Sequence, residues 1–123
     1  MHEKESTRSK GMKAEERAAA HLESIGYRVI EKNWFAGKLE IDLIATNATH
    51  IVFAEVKSRA SDQYGAPWES VNSAKRKSIV RAADIYIQRK QVQLEPRFDI
   101  ISIITNSTTD SVEHFEGAFF PYA

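Results

Sequence analysis

Apolar positions recur along the chain in two rhythms, and the switches between them mark out its elements. From Gly11 the stretch GMKAEERAAAHLESIGY sets Gly11, Glu15, Ala18, Leu22 and Ile25 on one stripe at helical spacing. Gly26 follows where a helix-ending glycine is expected. Residues 1–10 ahead of it are almost wholly polar or charged and predict a flexible tail, leaving 11–123 as a single domain. Three strand-like runs come next, at 27–34, 39–46 and 50–58, broken by Ala36-Gly37 and by a turn at 47–49. Residues 59–70 contain Gly65 and Pro67 and predict a loop that crosses the fold. A second helix is expected from about Val71 to Arg89, burying Val71, Ala74, Ile79, Ala82, Ala83 and Tyr86. A strongly apolar strand at 97–105 and a weaker one at 112–120 complete the chain. The order α-β-β-β-α-β-β predicts an α/β fold, a single mixed β-sheet with helices packed on it.

Composition narrows the chemistry. The chain has 123 residues, 42% of them hydrophobic and 10% aromatic, enough for one sizeable core and unlike a disordered segment. It has no cysteine, which excludes disulfides and thiolate-bound zinc, and His2, His21, His50 and His114 show no ligand-like spacing. A bound metal would therefore rest mainly on oxygen, which points to magnesium, manganese or calcium. Lys and Arg together number 17 and so do Asp and Glu, so any nucleic-acid affinity must come from local patches. No apolar run approaches the ~20 residues of a membrane span, and the N-terminus lacks a signal-like hydrophobic core. The expected setting is the cytoplasm, away from any membrane.

The second and third strands carry the candidate chemistry. Paired antiparallel around the 47–50 turn, with Thr46 opposite Ile51, they set Asp42 against Glu55 and Glu40 against Lys57. Alternation then projects all four from one face, directly opposed residues having Cβ atoms about 4.5–5.5 Å apart. Leu39, Ile41, Leu43 and Ala45 are expected on the other face, while Ile44, Ile51 and Phe53 share the charged one. Two carboxylates ~5 Å apart repel by roughly 3 kcal/mol at an effective dielectric near 20. A fold tolerates this when a cation, a lysine or a proton intervenes. The plainer reading is a cross-strand ion pair, Glu40 with Lys57, at a solvated edge. A solvated face, however, would not need Ile51 and Phe53 in line with the charges.

Asp42 followed beyond the turn by Glu55-Val56-Lys57 resembles the motif of the PD-(D/E)xK nucleases, the restriction-endonuclease-like superfamily that includes Holliday-junction resolvases. Over nearly its whole length the chain also resembles the YraN-like family. The resemblance rests on Gly11, Glu15 and Ala18, then GYRVIEKNW, LEIDLIA, FAEVKSR, YGAPWESVNSAK, RFDII and a terminal Ala-Phe. Leu39 and Ala14 stand where that family usually has glycine. Neither is a ligand, and Leu39 is expected to point away from the charged face.

The resemblance implies a Mg²⁺- or Mn²⁺-dependent endonuclease acting on DNA, extending to branched or repair intermediates and leaving 5′-phosphate and 3′-hydroxyl ends. Asp42 and Glu55, with the Val56 carbonyl, would hold the metal, and Lys57 would orient the attacking water or stabilise charge in the transition state. Glu15 would complete the site from the first helix, its plainer role being an ion pair with a lysine. Glu40 either holds Lys57 or is merely its ladder partner. Arg59 and Lys75, with Arg76, Lys77 and Arg81, form either a phosphate-contacting patch or a solvated helix face. Arg97 and Asp99 either pair with each other or brace the site. Tyr27, Trp34, Trp68, Phe119, Phe120 and Tyr122 are assigned to core or subunit contacts. The resemblance also implies nucleic acid as partner and a two-fold homodimer. The alternative is a non-catalytic nucleic-acid-binding or adaptor module that keeps the fold.

Overall fold

The two rhythms become, in chain order, α1 (Thr7–Ser24), β1 (Arg28–Ala36), β2 (Leu39–Thr46), β3 (His50–Arg59), α2 (Ser73–Lys90), β4 (Glu95–Thr105) and β5 (Asp110–Phe119). The computed structural model describes residues 7–60, 71–105 and 110–120, without the side chains of 7–12 and 110. The loop expected at 59–70 therefore lies largely outside the described residues, as do Trp68 and Tyr122. β3 runs on to Arg59. The strands form one sheet in the order β1-β2-β3-β4-β5, antiparallel throughout except for the parallel β3–β4 pair that α2 connects. This is the α/β architecture expected from the sequence.

Each helix covers one face. Ala14, Ala18, Ala19 and Leu22 of α1 pack on Leu43, Ala45, Val52, Ala54, Ile101 and Ile103. The alanines let the helix lie close to the strands. Ile79, Ala82, Ala83 and Tyr86 of α2 pack on Ile41, Ile44, Ile51, Phe53 and Ile100. Both faces of the central strands are thus apolar and buried, as parallel pairing requires.

Several boundaries shift from the sequence reading. α1 begins at Thr7, inside the stretch expected to be a tail, and residues 1–6 lie outside the described region. Its apolar stripe starts later, but polar residues such as Arg8 and Lys10 propagate a helix well. Gly26, at φ +100°, ends α1 as expected, which leaves Ile25 beyond the last turn and 46% exposed. α2 starts at Ser73 because the Asn72 side chain accepts the Lys75 N–H at 2.9 Å. Val71 is buried ahead of the helix rather than on it, and Ala74, expected inside, is exposed. Tyr27 and Phe119 are core residues, and Trp34 stands edge-on to Tyr86, whereas Phe120 is exposed. No helix among the described residues is long and apolar enough to cross a membrane.

Candidate active site

The β2–β3 register is the one derived from the turn, with paired rungs from Thr46–Ile51 to Leu43–Ala54. There the main-chain ladder stops, and Asp42 Oδ2 accepts the Val56 N–H at 2.8 Å. The Asp42 side chain thus occupies the gap where the strands part. Alternation breaks at the same point. Trp34 lies opposite Ile41, and Leu39, Ile41 and Trp34 all pack on the α2 side, while Leu43 and Ala45 pack against α1. Asn33, which would stand beside Asp42, has φ +49°, a left-handed conformation that asparagine tolerates better than most residues.

This twist corrects two expectations. Leu39 and Ile41 do not share a face with Leu43 and Ala45. Nor does Glu40 form a rung with Lys57, because the ladder ends before it; Glu40 pairs across β1 with Phe35. Glu40 stays in the site electrostatically. Burial and the charge of Asp42 push its carboxyl above the ordinary range, and Lys75 opposes them.

Glu55 is only 4% exposed, and its Oε2 lies 3.7 Å from Lys57 Nζ and 3.5 Å from Lys75 Nζ. Burial pushes its carboxyl up to about 8, helped by a carboxyl–carboxylate hydrogen bond with Asp42 and by that group's charge, while Lys75 and Lys57 oppose. Glu15 reaches the same place from α1. Its Oε1 accepts from Asn33 Nδ2 at 2.9 Å, so its hydrogen-bond partner is an asparagine and not the lysine considered from sequence. Burial raises its pKa, the Asn33 bond opposes, and the charges of Asp42 and Glu40 add to the rise. Sequence reasoning missed Asn33; its signal was an asparagine inside a strand-like run.

Of the basic residues expected near substrate, Lys75 is brought to Glu55 and is 42% exposed. Arg59 instead turns toward β5, where its guanidinium lies 3.9 Å from Glu113. Arg76 is tied to the fold by its Nε bond to the Val71 carbonyl at 2.8 Å and lies over Phe119, while Lys77 and Arg81 are exposed. Arg97 and Asp99 pair with each other, through bonds of 2.9 and 2.8 Å.

The arrangement suits a hard divalent cation. Three carboxyls with raised pKa surround Asp42, and a cation between Asp42 and Glu55 would offset the charge that adds to the rise. Among the described residues no three His, Asp or Glu side chains are grouped to enclose an ion by themselves. Two carboxylates with water and substrate oxygens completing the shell is the habit of Mg²⁺.

Fold and site together define an α/β protein whose mixed five-stranded sheet gathers acidic residues where its strands part. The profile of the Uncharacterised protein family UPF0102 matches residues 14–103, and the chain belongs to that family, which is the YraN family. It is 43% identical over 112 residues to a UPF0102 protein of Clostridium kluyveri, covering 89% of this chain and 92% of that one. It is 42% identical to a UPF0102 protein of Caldanaerobacter subterraneus subsp. tengcongensis, covering 89% and 93%. A UPF0102 protein of Phocaeicola vulgatus is 37% identical, covering 90% and 92%.

Proposed function

We propose that the protein is a metal-dependent nuclease that hydrolyses phosphodiester bonds of DNA, with branched or repair intermediates within its range. The observation that carries this reading is the buried Glu55 carboxyl, held against Asp42 at the parting of the strands with two lysines beside it. Burying one acid against another, partly exposed one costs stability that a purely structural role does not repay.

Asp42 and Glu55, with the Val56 carbonyl, would hold Mg²⁺ or Mn²⁺, and Glu15 would support the site from α1. The ion, when bound, screens the phosphate's charge and lowers the pKa of a coordinated water. The Val56 N–H fixes the rotamer of Asp42, so one carboxylate is oriented before any ion arrives. Lys57 stands where its ammonium can orient the attacking water or stabilise charge developing on phosphorus, while Lys75, more exposed, suits contact with a flanking phosphate. The expected setting is the cytoplasm, with a two-fold dimer presenting two such sites.

A second reading is a binding module without turnover, and the zero formal net charge favours it, since such a module could borrow affinity from a partner. Cleavage assays on linear, branched and single-stranded DNA and on RNA separate the two. Nuclease action predicts cutting with Mg²⁺ or Mn²⁺ and at least ~100-fold loss in Glu55→Ala and Lys57→Ala. Cutting that survives both substitutions, or none with any substrate, removes the reading. Binding that ignores Mg²⁺ and Asp42→Asn would favour the module.

A further inference from the structure

Phe35 is the residue that the proposed chemistry leaves unexplained. It lies on β1, an edge strand of the sheet, and is 58% exposed. A lone exposed apolar residue is ordinary. The position of this one is not. Its cross-strand partner is Glu40, whose carboxyl feels both Asp42 and Lys75. Trp34 and Ile41, the neighbouring rung, point toward α2. Phe35 and Glu40 therefore project from the opposite face, the one from which Glu15 reaches Asn33. The ring thus stands on the Glu15 and Glu40 side of the acidic group, while Glu55, in line with Ile51 and Phe53, faces the α2 side. The exposed Lys38 follows in the hairpin turn, where Gly37 adopts φ +58°.

A nucleic acid meets an electrostatic problem here. Four carboxyls gather here, Glu15, Glu40 and Glu55 each feeling the charge of Asp42, with Lys57 and Lys75 beside Glu55. The whole molecule adds no attraction, its formal net charge being zero. Backbone contacts by Lys and Arg, the usual source of affinity, are therefore weak at this site. Stacking of a base on an aromatic ring is independent of charge and tolerant of sequence, because every base offers a π-face. It requires a base that is not stacked within a duplex.

We propose that Phe35 is a stacking platform for an unpaired nucleobase next to the scissile phosphate, which makes DNA with unpaired nucleotides the substrate class. This rests on the nuclease reading for the word scissile alone; the stacking itself is a matter of binding. A forked DNA carrying 2-aminopurine in its unpaired arm, and a fully paired duplex of the same length, serve as probes with the whole protein in Ca²⁺. Phe35→Ala should weaken binding of the fork about tenfold, equivalent to about 1.4 kcal/mol, and leave duplex binding within about twofold. Phe35→Trp should bind the fork as wild type does and quench its 2-aminopurine. Equal losses on fork and duplex, no loss on the fork, or no DNA binding by the wild type would overturn the proposal. So would unchanged fork binding with a dimer that Phe35→Ala splits in sedimentation, since the ring's partner is then a second copy of the chain. Cleavage of the same fork in Mg²⁺ by wild type and Glu55→Gln reports on the nuclease separately. Stacking without cleavage retains Phe35 and removes the enzyme; Glu55-dependent cleavage indifferent to Phe35 does the reverse.

Discussion

Asp99 and Glu55 sit one rung apart across the β3–β4 seam, Ala54 opposite Asp99 and Glu55 opposite Ile100, so they face opposite sides of the sheet. Both acids are buried, at 0% and 4% exposure. Their surroundings differ completely. Asp99 receives two bonds from Arg97, one from the Gly117 N–H at 3.0 Å, and lies 2.7 Å from His114 Nε2. Burial alone would raise its pKa, but these donors hold it below the ordinary carboxylate range. Glu55 faces another acid and two lysines no closer than 3.5 Å, and its pKa rises. The fold is able to satisfy a buried carboxylate fully, and at Glu55 it does not. That contrast separates a carboxylate that holds the structure from one that the proposed chemistry would use.

The largest effect is expected at the satisfied acid. Asp99→Asn leaves the mostly enclosed Arg97 charge with only the exposed Glu116, 3.8 Å away, and should cost about 3–5 kcal/mol in urea unfolding at neutral pH. If it costs less than Glu55→Gln, the contrast drawn above is wrong.

The next effect has the opposite sign. Glu55 binds its proton more tightly folded than unfolded, so between about pH 4.5 and about 8 the folded state holds the extra proton. Stability of the metal-free protein should therefore fall as pH rises through that window. Glu55→Gln, which keeps the shape and has no proton to lose, should flatten the fall and stabilise the metal-free protein by roughly 2 kcal/mol near pH 8. If the proposed metal site is right, Mg²⁺ at a hundredfold excess over its dissociation constant should add about 2.7 kcal/mol to the wild type and nothing to Glu55→Gln. For Asp99 the sign reverses, its contribution being present above the unfolded pKa and lost as pH falls into the acid range. Thermal melts across pH 3–9 of wild type and Glu55→Gln, with and without Mg²⁺, read both limbs.

The smallest effect lies at the end of the Asp99 chain. His21 Nε2 lies 3.1 Å from His114 Nδ1, and burial followed by the charge of His114 lowers the pKa of His21. His21→Ala should cost no more than about 1 kcal/mol, the usual net worth of one part-buried hydrogen bond, in the same urea series.

The parts of this contrast were unequally legible in the chain. Asp42, Glu55 and Lys57 lie on strands joined by one short turn, so period-two alternation and a symmetric register locate them. The break at Asp42 was not legible, because it depends on a side chain replacing a main-chain acceptor and on Asn33 reversing its φ. Alternation alone therefore sets Glu40 opposite Lys57, on a ladder that in fact stops short of both. Glu15 was visible as a charge within an apolar stripe, although its asparagine partner was not. His21 and His114 are 93 positions apart, and no local pattern joins residues so distant. The nuclease chemistry came from resemblance, since alternation gives positions and not reactions.

The parallel β3–β4 pair has a consequence for how the molecule assembles. β1, β2 and β3 form a chain of neighbours joined by short turns, and β4–β5 is another local antiparallel pair. Such local pieces form in microseconds, whereas the seam between them must wait for the intervening segment and α2 to close a long loop. Glu55 sits on that seam, beside Ile100 of β4 and Lys75 of α2, so its burial is complete only when both have docked on β3. The acid pair is therefore closed off at a late step of folding, after the local strand pairs already exist to bear its cost.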